Sequence, residues 1–141
     1  MDPLNYVDKR YQEMAIEIVK DPGSAAPIGP YSQGIKAGGF VFVAGEKGID
    51  PGTGEIVEGG IEAESRQTLE NIRGILGAAG AAMDDVVSTT VHMVNLDEFA
   101  RMNEVYGTYF KKNPPGRTTV GVASLPASAS VEITVTAWVG T

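Results

Sequence analysis

Arg117 and Glu132 are two charges placed where a chain could use them, each opening a β-branched segment near the C-terminus. In the second segment Val131, Ile133, Val135 and Ala137 alternate with Glu132, Thr134 and Thr136, and the first runs from Thr119 to Ala123 in the same style. Alternation at period two sends one row of side chains into a core and the other out of it. A turn over Ser124 to Ser130 predicts a hairpin, with Arg117 and Glu132 at its opposite ends. They then reach one site only across a subunit contact or a strong bend.

Other chemistries fall away on the residue inventory. There are no cysteines, hence no thiolate nucleophile, disulfide or Cys-based metal site. His92 is the sole histidine, which leaves no His cluster and no Ser–His–Asp triad with a spare base. It shares strand parity with Thr90 and Val94 and, without a partner, reads as structural or solvent-facing. The carboxylates lack EF-hand spacing, and no metal or cofactor is expected. Gly74, Gly77 and Gly80 lie inside a helical pattern rather than opening one, and Gly45-Glu-Lys-Gly48 lacks the Walker ending. What remains is a set of polar residues beside glycine and proline: Tyr31, Glu46, Asn103, Arg117 and Glu132. On composition alone Arg117, after a Pro-Pro-Gly turn, also reads as a surface cation, and Glu132 as a solvated edge charge.

The elements that must position these residues follow from periodicity. Residues 1–13, with Leu4, Val7 and Tyr11 at spacings of three and four, predict a short amphipathic helical extension. Residues 14–141 are expected to form a single domain; the whole chain has an ordinary composition, 43% hydrophobic and 21% charged. Strands are expected at Ala15–Val19, at Ile35 onward and at Phe40–Gly45. Gly38-Gly39 would supply the positive φ angles of a tight turn between the last two. A helix over Ile61–Ala79 carries the stripe Leu69, Ile72, Ile75, Leu76 and Ala79. A strand follows over Asp85–Val94. Asn95 and Glu98 form a capping-box pattern before a second helix bearing Phe99, Met102, Tyr106, Tyr109 and Phe110. The order β-β-β-α-β-α-β-β implies an α+β fold. Its mixed sheet would be covered by two helices on one face and left apolar on the other, a reason to expect oligomerisation. The net charge of −7 opposes non-specific nucleic-acid binding. Apolar runs are too short for a membrane span, and no leader is visible, so the expected setting is cytoplasmic.

The ordered motifs Ile28-Gly-Pro-Tyr31-Ser-Gln-Gly34, Val43-Ala-Gly45, Gln67-Thr-Leu-Glu-Asn71, Phe99-x-x-x-Asn103-x-x-Tyr106, Gly116-Arg117, Leu125-Pro126 and Val131-Glu-Ile133 span about Ala25 to Ala137. In order and spacing they resemble the RidA (YjgF-type) imine/enamine deaminase family. The resemblance implies a chorismate-mutase-like fold and a homotrimer with sites in the clefts between subunits. It further implies hydrolysis of 2-imino or 2-enamino acids, such as 2-aminoacrylate, to 2-keto acids and ammonia without a cofactor. Arg117 would bind the substrate carboxylate, whose geometry its planar fork matches. The Thr119 carbonyl would accept from the substrate nitrogen, and Glu132 would activate water. Tyr31 would close over the ligand, with Asn103, Gly45 and Glu46 completing the cleft.

Two departures stand out. Ala44-Gly45-Glu46 replaces a common Ser-Gly-Gln, and Thr119 replaces a common cysteine. Glu46 is expected beside the ligand, where it would repel an anion, pair with Arg117 or select a substrate bearing an amine, with Lys47 offsetting its charge. A pathway-specific deaminase of a larger enamine, such as an aminomuconate, and a non-catalytic ligand-binding trimer are the alternatives.

Overall fold

The computed structural model describes residues 16–140. The helical extension expected over residues 1–13 lies outside the described residues. Six strands form one mixed sheet: β1 (Glu17–Val19), β2 (Gly34–Ala37), β3 (Phe40–Lys47), β4 (Val86–Met93), β5 (Gly116–Gly121) and β6 (Val131–Trp138). Two helices, α1 (Gly60–Ala78) and α2 (Phe99–Tyr109), complete the expected element order.

The sheet order is β1-β2-β3-β6-β4-β5. The expected C-terminal hairpin is absent: β5 pairs parallel with β4, while β6 inserts between β3 and β4, antiparallel to both. The physical reason is burial. Val131, Ile133, Val135 and Ala137 are each at most 1% exposed, which a central strand achieves and an edge strand beside β5 would not. The parallel pair expected from a strand–helix–strand succession is β4-α2-β5.

Both helices pack on one face. Val41 and Val43 of β3, Val91 of β4 and Ile133 of β6 meet Leu69, Ile72, Ile75 and Leu76 of α1, and Met102 of α2, all at most 2% exposed. Full burial of each such side chain contributes about 1.5–3 kcal/mol. The opposite face is not the uniformly apolar surface expected. One end carries Phe40, Phe42 and Trp138, 42–51% exposed. The rest carries the polar parity of β6 and β4, namely Thr134, Glu132, Thr90 and His92.

Local details fix the strands that matter. Only Gly38 of the Gly38-Gly39 turn takes a positive φ, 57°. Gly39 is required for space instead, since a Cβ there would lie 2.6 Å from the Gly140 carbonyl oxygen. The capping box reduces to its Asn95 half, whose Oδ1 accepts from the Asp97 N–H at 3.0 Å before a 3-10 turn leads into α2. At the end of β3, the buried Asn71 amide of α1 donates to the Lys47 and Ile49 carbonyls, tying the strand end to the helix.

Candidate active site

Glu132 is the second residue of β6 and points to the open face. It borders a cleft of about 270 Å³ together with Tyr31, Ala44, Gly45, Lys47 and Thr134. Three of the residues expected from sequence, Tyr31, Gly45 and Glu132, therefore meet.

Each is held by its local backbone. β3 carries a bulge: Val43 pairs with Val135 and Glu46 with Ile133, so two residues of β3 oppose the single Thr134 of β6. Gly45 sits in this bulge against the Glu132 carboxylate, and a Cβ there would lie 2.8 Å from the carboxyl carbon. A glycine is required for that approach. Tyr31 is held on an irregular loop by the buried Gln33, which accepts from the Asp21 N–H and donates to the Asp21 and Ala25 carbonyls. The Tyr31 hydroxyl accepts from the Ile28 N–H at 3.1 Å.

The same bulge corrects the expectation for Glu46. Straight pairing from Val43 would turn Glu46 to the open face. The extra residue turns it to the helix-covered face beside Ile133, where it is 6% exposed and does not line the cleft. Burial pushes its carboxyl up from 4.5 to about 7, with Lys47 opposing and Glu132 reinforcing the shift. It makes no ion pair with Arg117; the guanidinium instead contacts α2.

Lys47 takes the open-face position. Its ammonium lies 3.5 Å from Glu132 Oε2 and donates to the Gly45 carbonyl at 3.2 Å. On the other side of Glu132, Nδ1 of His92 lies 3.5 Å from Oε1. Sequence reasoning assigns neither residue to the carboxylate. The parity of His92 is readable, but its neighbour depends on β6 lying beside β4.

Arg117 and Asn103 form a second group away from this cleft. Arg117 pairs with Thr89, and Thr89 faces the helices, where its hydroxyl meets the Tyr106 hydroxyl at 2.8 Å. The guanidinium donates to Asn103 Oδ1 at 2.7 Å and lies 4.6 Å from the Tyr106 ring centroid and 5.4 Å from that of Phe99. Cation–π contact and one hydrogen bond orient the group while leaving donors free. Thr119, two residues on, shares that face, and its buried hydroxyl has no hydrogen-bond partner among the described residues. β5 is the sheet edge, so a row of its backbone groups has no strand partner among the described residues.

Arg117 and Glu132 thus project from opposite faces of one sheet, two strands apart. The described residues hold no group of three or more His, Cys, Asp or Glu able to bind a metal, and no helix long and apolar enough to cross a membrane.

Known proteins match this arrangement across nearly the whole chain. The profile of a family described as Endoribonuclease L-PSP matches residues 23–139. A RutC family protein of Pyrococcus horikoshii is 48% identical over 86% of this chain and 97% of its own. The mouse 2-iminobutanoate/2-iminopropanoate deaminase is 38% identical over 83% of this chain and 87% of its own. The crystal structure of RidA from the Antarctic bacterium Psychrobacter superposes with a TM-score of 0.84 at 37% identity, covering 86% of this chain and 98% of that one. The fold, the motifs and these matches agree that the chain belongs to the Endoribonuclease L-PSP family, the RidA (YjgF-type) family it resembles in sequence.

Proposed function

We propose that the protein hydrolyses reactive 2-imino and 2-enamino acids to 2-keto acids and ammonia, without a cofactor, in clefts between the copies of a homotrimer. The observation that carries this reading is the placement of Arg117 and Glu132 on opposite sheet faces, Arg117 on the edge strand β5. One small ligand touches both only where the β5 edge of one copy meets the open face of the next. The part-apolar open face and the β5 edge, which has no strand partner among the described residues, supply surfaces for that contact.

In such a cleft Arg117 binds the substrate carboxylate through the donors Asn103 leaves free. The enamine tautomerises to the imine, whose carbon is already electrophilic. Glu132 accepts a proton from water as the water oxygen bonds to that carbon and passes it to nitrogen, giving a carbinolamine. It then carries the hydroxyl proton to nitrogen as the C–N bond breaks and the C=O bond forms, releasing ammonia. The Thr119 carbonyl accepts from the substrate nitrogen, and Tyr31 covers the ligand. Anchoring and one proton shuttle suffice because the substrate is reactive unaided. Glu46, behind β3, acts on the ligand only through its field. The mouse relative's activity supports the reaction class, and the net charge of −7 opposes RNA as a substrate despite the family's description.

The test generates 2-aminoacrylate from serine with a pyridoxal-phosphate dehydratase and follows pyruvate release. Wild type is expected to accelerate release over buffer, and Arg117→Ala to match buffer; equal rates for all three would sink the proposal for these substrates. A larger enamine is the second reading, because Lys47 adds a cation to the cleft. A strong preference in a substrate panel would favour it.

A further inference from the structure

The bulge and the register set three titratable side chains in one row across the open face. Lys47 of β3 pairs with Glu132 of β6, and Glu132 pairs with His92 of β4. Their spacing is fixed by main-chain pairing rather than by flexible side chains meeting at a surface. Each outer member addresses a different oxygen: the Lys47 ammonium lies 3.5 Å from Oε2 and His92 Nδ1 lies 3.5 Å from Oε1.

Neither outer residue is explained by surface solvation. The Lys47 side chain is only 6% exposed, and a buried ammonium persists where it is paired and hydrogen-bonded. Its partners here are Glu132 and the Gly45 carbonyl, both at the cleft. The His92 Nδ1 atom is buried, without a hydrogen-bond partner among the described residues, and the nearest carboxylate is Glu132. A ring nitrogen so placed beside a carboxylate can share a proton with it directly or through a bridging water.

We propose that Lys47 and His92 are positioning residues which hold the Glu132 carboxylate oriented toward the cleft, Lys47 through Oε2 and His92 through Oε1. The inference rests on the reading that Glu132 activates water. The titratable groups facing Glu132 are Lys47 from β3 and His92 from β4, with the Glu46 carboxyl behind β3. Contacts on both oxygens restrict rotation of the carboxylate and hold it in place for reaction. The Lys47–Gly45 hydrogen bond also couples this charge to the bulge that gives the carboxylate its room.

The experiment compares wild type, Lys47→Met, Lys47→Arg and His92→Phe by two readouts. The first is the split between kcat and KM with enamine generated in situ by an excess of dehydratase. Lys47→Met is expected to lower kcat by about 10–100-fold with KM within about 2-fold of wild type, Lys47→Arg to restore it, and His92→Phe to lower kcat by less. The second is the carbon-13 NMR signal of the Glu132 carboxyl, which reads the displaced carboxylate with no substrate present. Lys47→Arg keeps the charge and serves as the folding control. If the Glu132 signal and kcat are the same in wild type and Lys47→Met, the inference is overturned. A wild type without turnover would sink the deaminase reading alone, and the NMR displacement would still decide the role of Lys47.

Discussion

The two halves of the candidate site are built on opposite physical plans. The Arg117 half sits at the sheet edge, held by one hydrogen bond to Asn103 and by the faces of two aromatic rings. The Glu132 half sits on a central strand, flanked by Lys47, His92 and a glycine bulge. An edge arginine with spare donors is made to meet something that arrives. A carboxylate flanked by Lys47 and His92 on a doubly paired strand is held in one position. Anchoring tolerates an exposed, adjustable group, whereas proton transfer needs a preset one.

The sharpest way to break the comparison is to remove each half in turn. Arg117→Ala and Glu132→Gln should each lower kcat/KM by about 10²–10⁴-fold, the first through loss of carboxylate binding and the second through loss of the proton shuttle. Because the halves are proposed to come from different copies, the two inactive variants should complement each other. Unfolded together and refolded as mixed trimers, about a quarter of clefts regain both groups. Recovery absent from mixed trimers, or full activity in a monomer, would end the shared-cleft reading.

Gly45→Ala tests the Glu132 half alone. The new methyl group would meet the carboxylate, so kcat should fall by roughly 10–100-fold as a 1 Å misplacement of a reacting group does. Thermal stability should fall only modestly. A variant with wild-type kcat would show that the carboxylate does not need that position.

Glu46 offers a test in stability rather than rate. Its native carboxyl is raised from 4.5 to about 7, so the folded state binds more protons than the unfolded state between those values. Its contribution is therefore favourable at low pH and is lost as pH rises through about 7. Glu46→Gln should remove up to roughly 3 kcal/mol of pH dependence between pH 4.5 and 7.5. Denaturant unfolding at several pH values measures it; parallel curves for wild type and variant would refute the shift. The smallest effect belongs to Tyr31→Phe. It deletes the Ile28 N–H contact and keeps the ring, so a change of about 2–5-fold in KM with kcat intact is expected.

Much of this molecule is legible in its residue pattern. The Leu69–Ile72–Leu76 stripe, the alternating β6 and the strand–helix–strand parallel pair all follow from periodicity, and all appear in the fold. The site is readable as a list of residues through the family's motifs, but not as a geometry. Periodicity says which side chains share a face and not which strands are neighbours. A seven-residue turn therefore reads as a hairpin where the chain crosses over β4 instead. With β6 misplaced in that way, Glu132 cannot be seen beside His92. Parity also fails silently at a bulge. Nothing in Val43-Ala-Gly-Glu46 announces the extra residue except the glycine, so Glu46 and Lys47 exchange their expected sides.

That bulge also guards the fold against its nearest wrong pairing. Were β3 to align straight past Val43, Gly45 would face Ile133, Glu46 would stand directly opposite Glu132, and Lys47 would point into the apolar layer. The mispaired sheet would carry two adjacent carboxylates and a buried ammonium, while the native one carries the Lys47–Glu132 ion pair and buries the Glu46 carboxyl instead. The ion pair across β3 and β6 therefore favours the bulged alignment over the straight one.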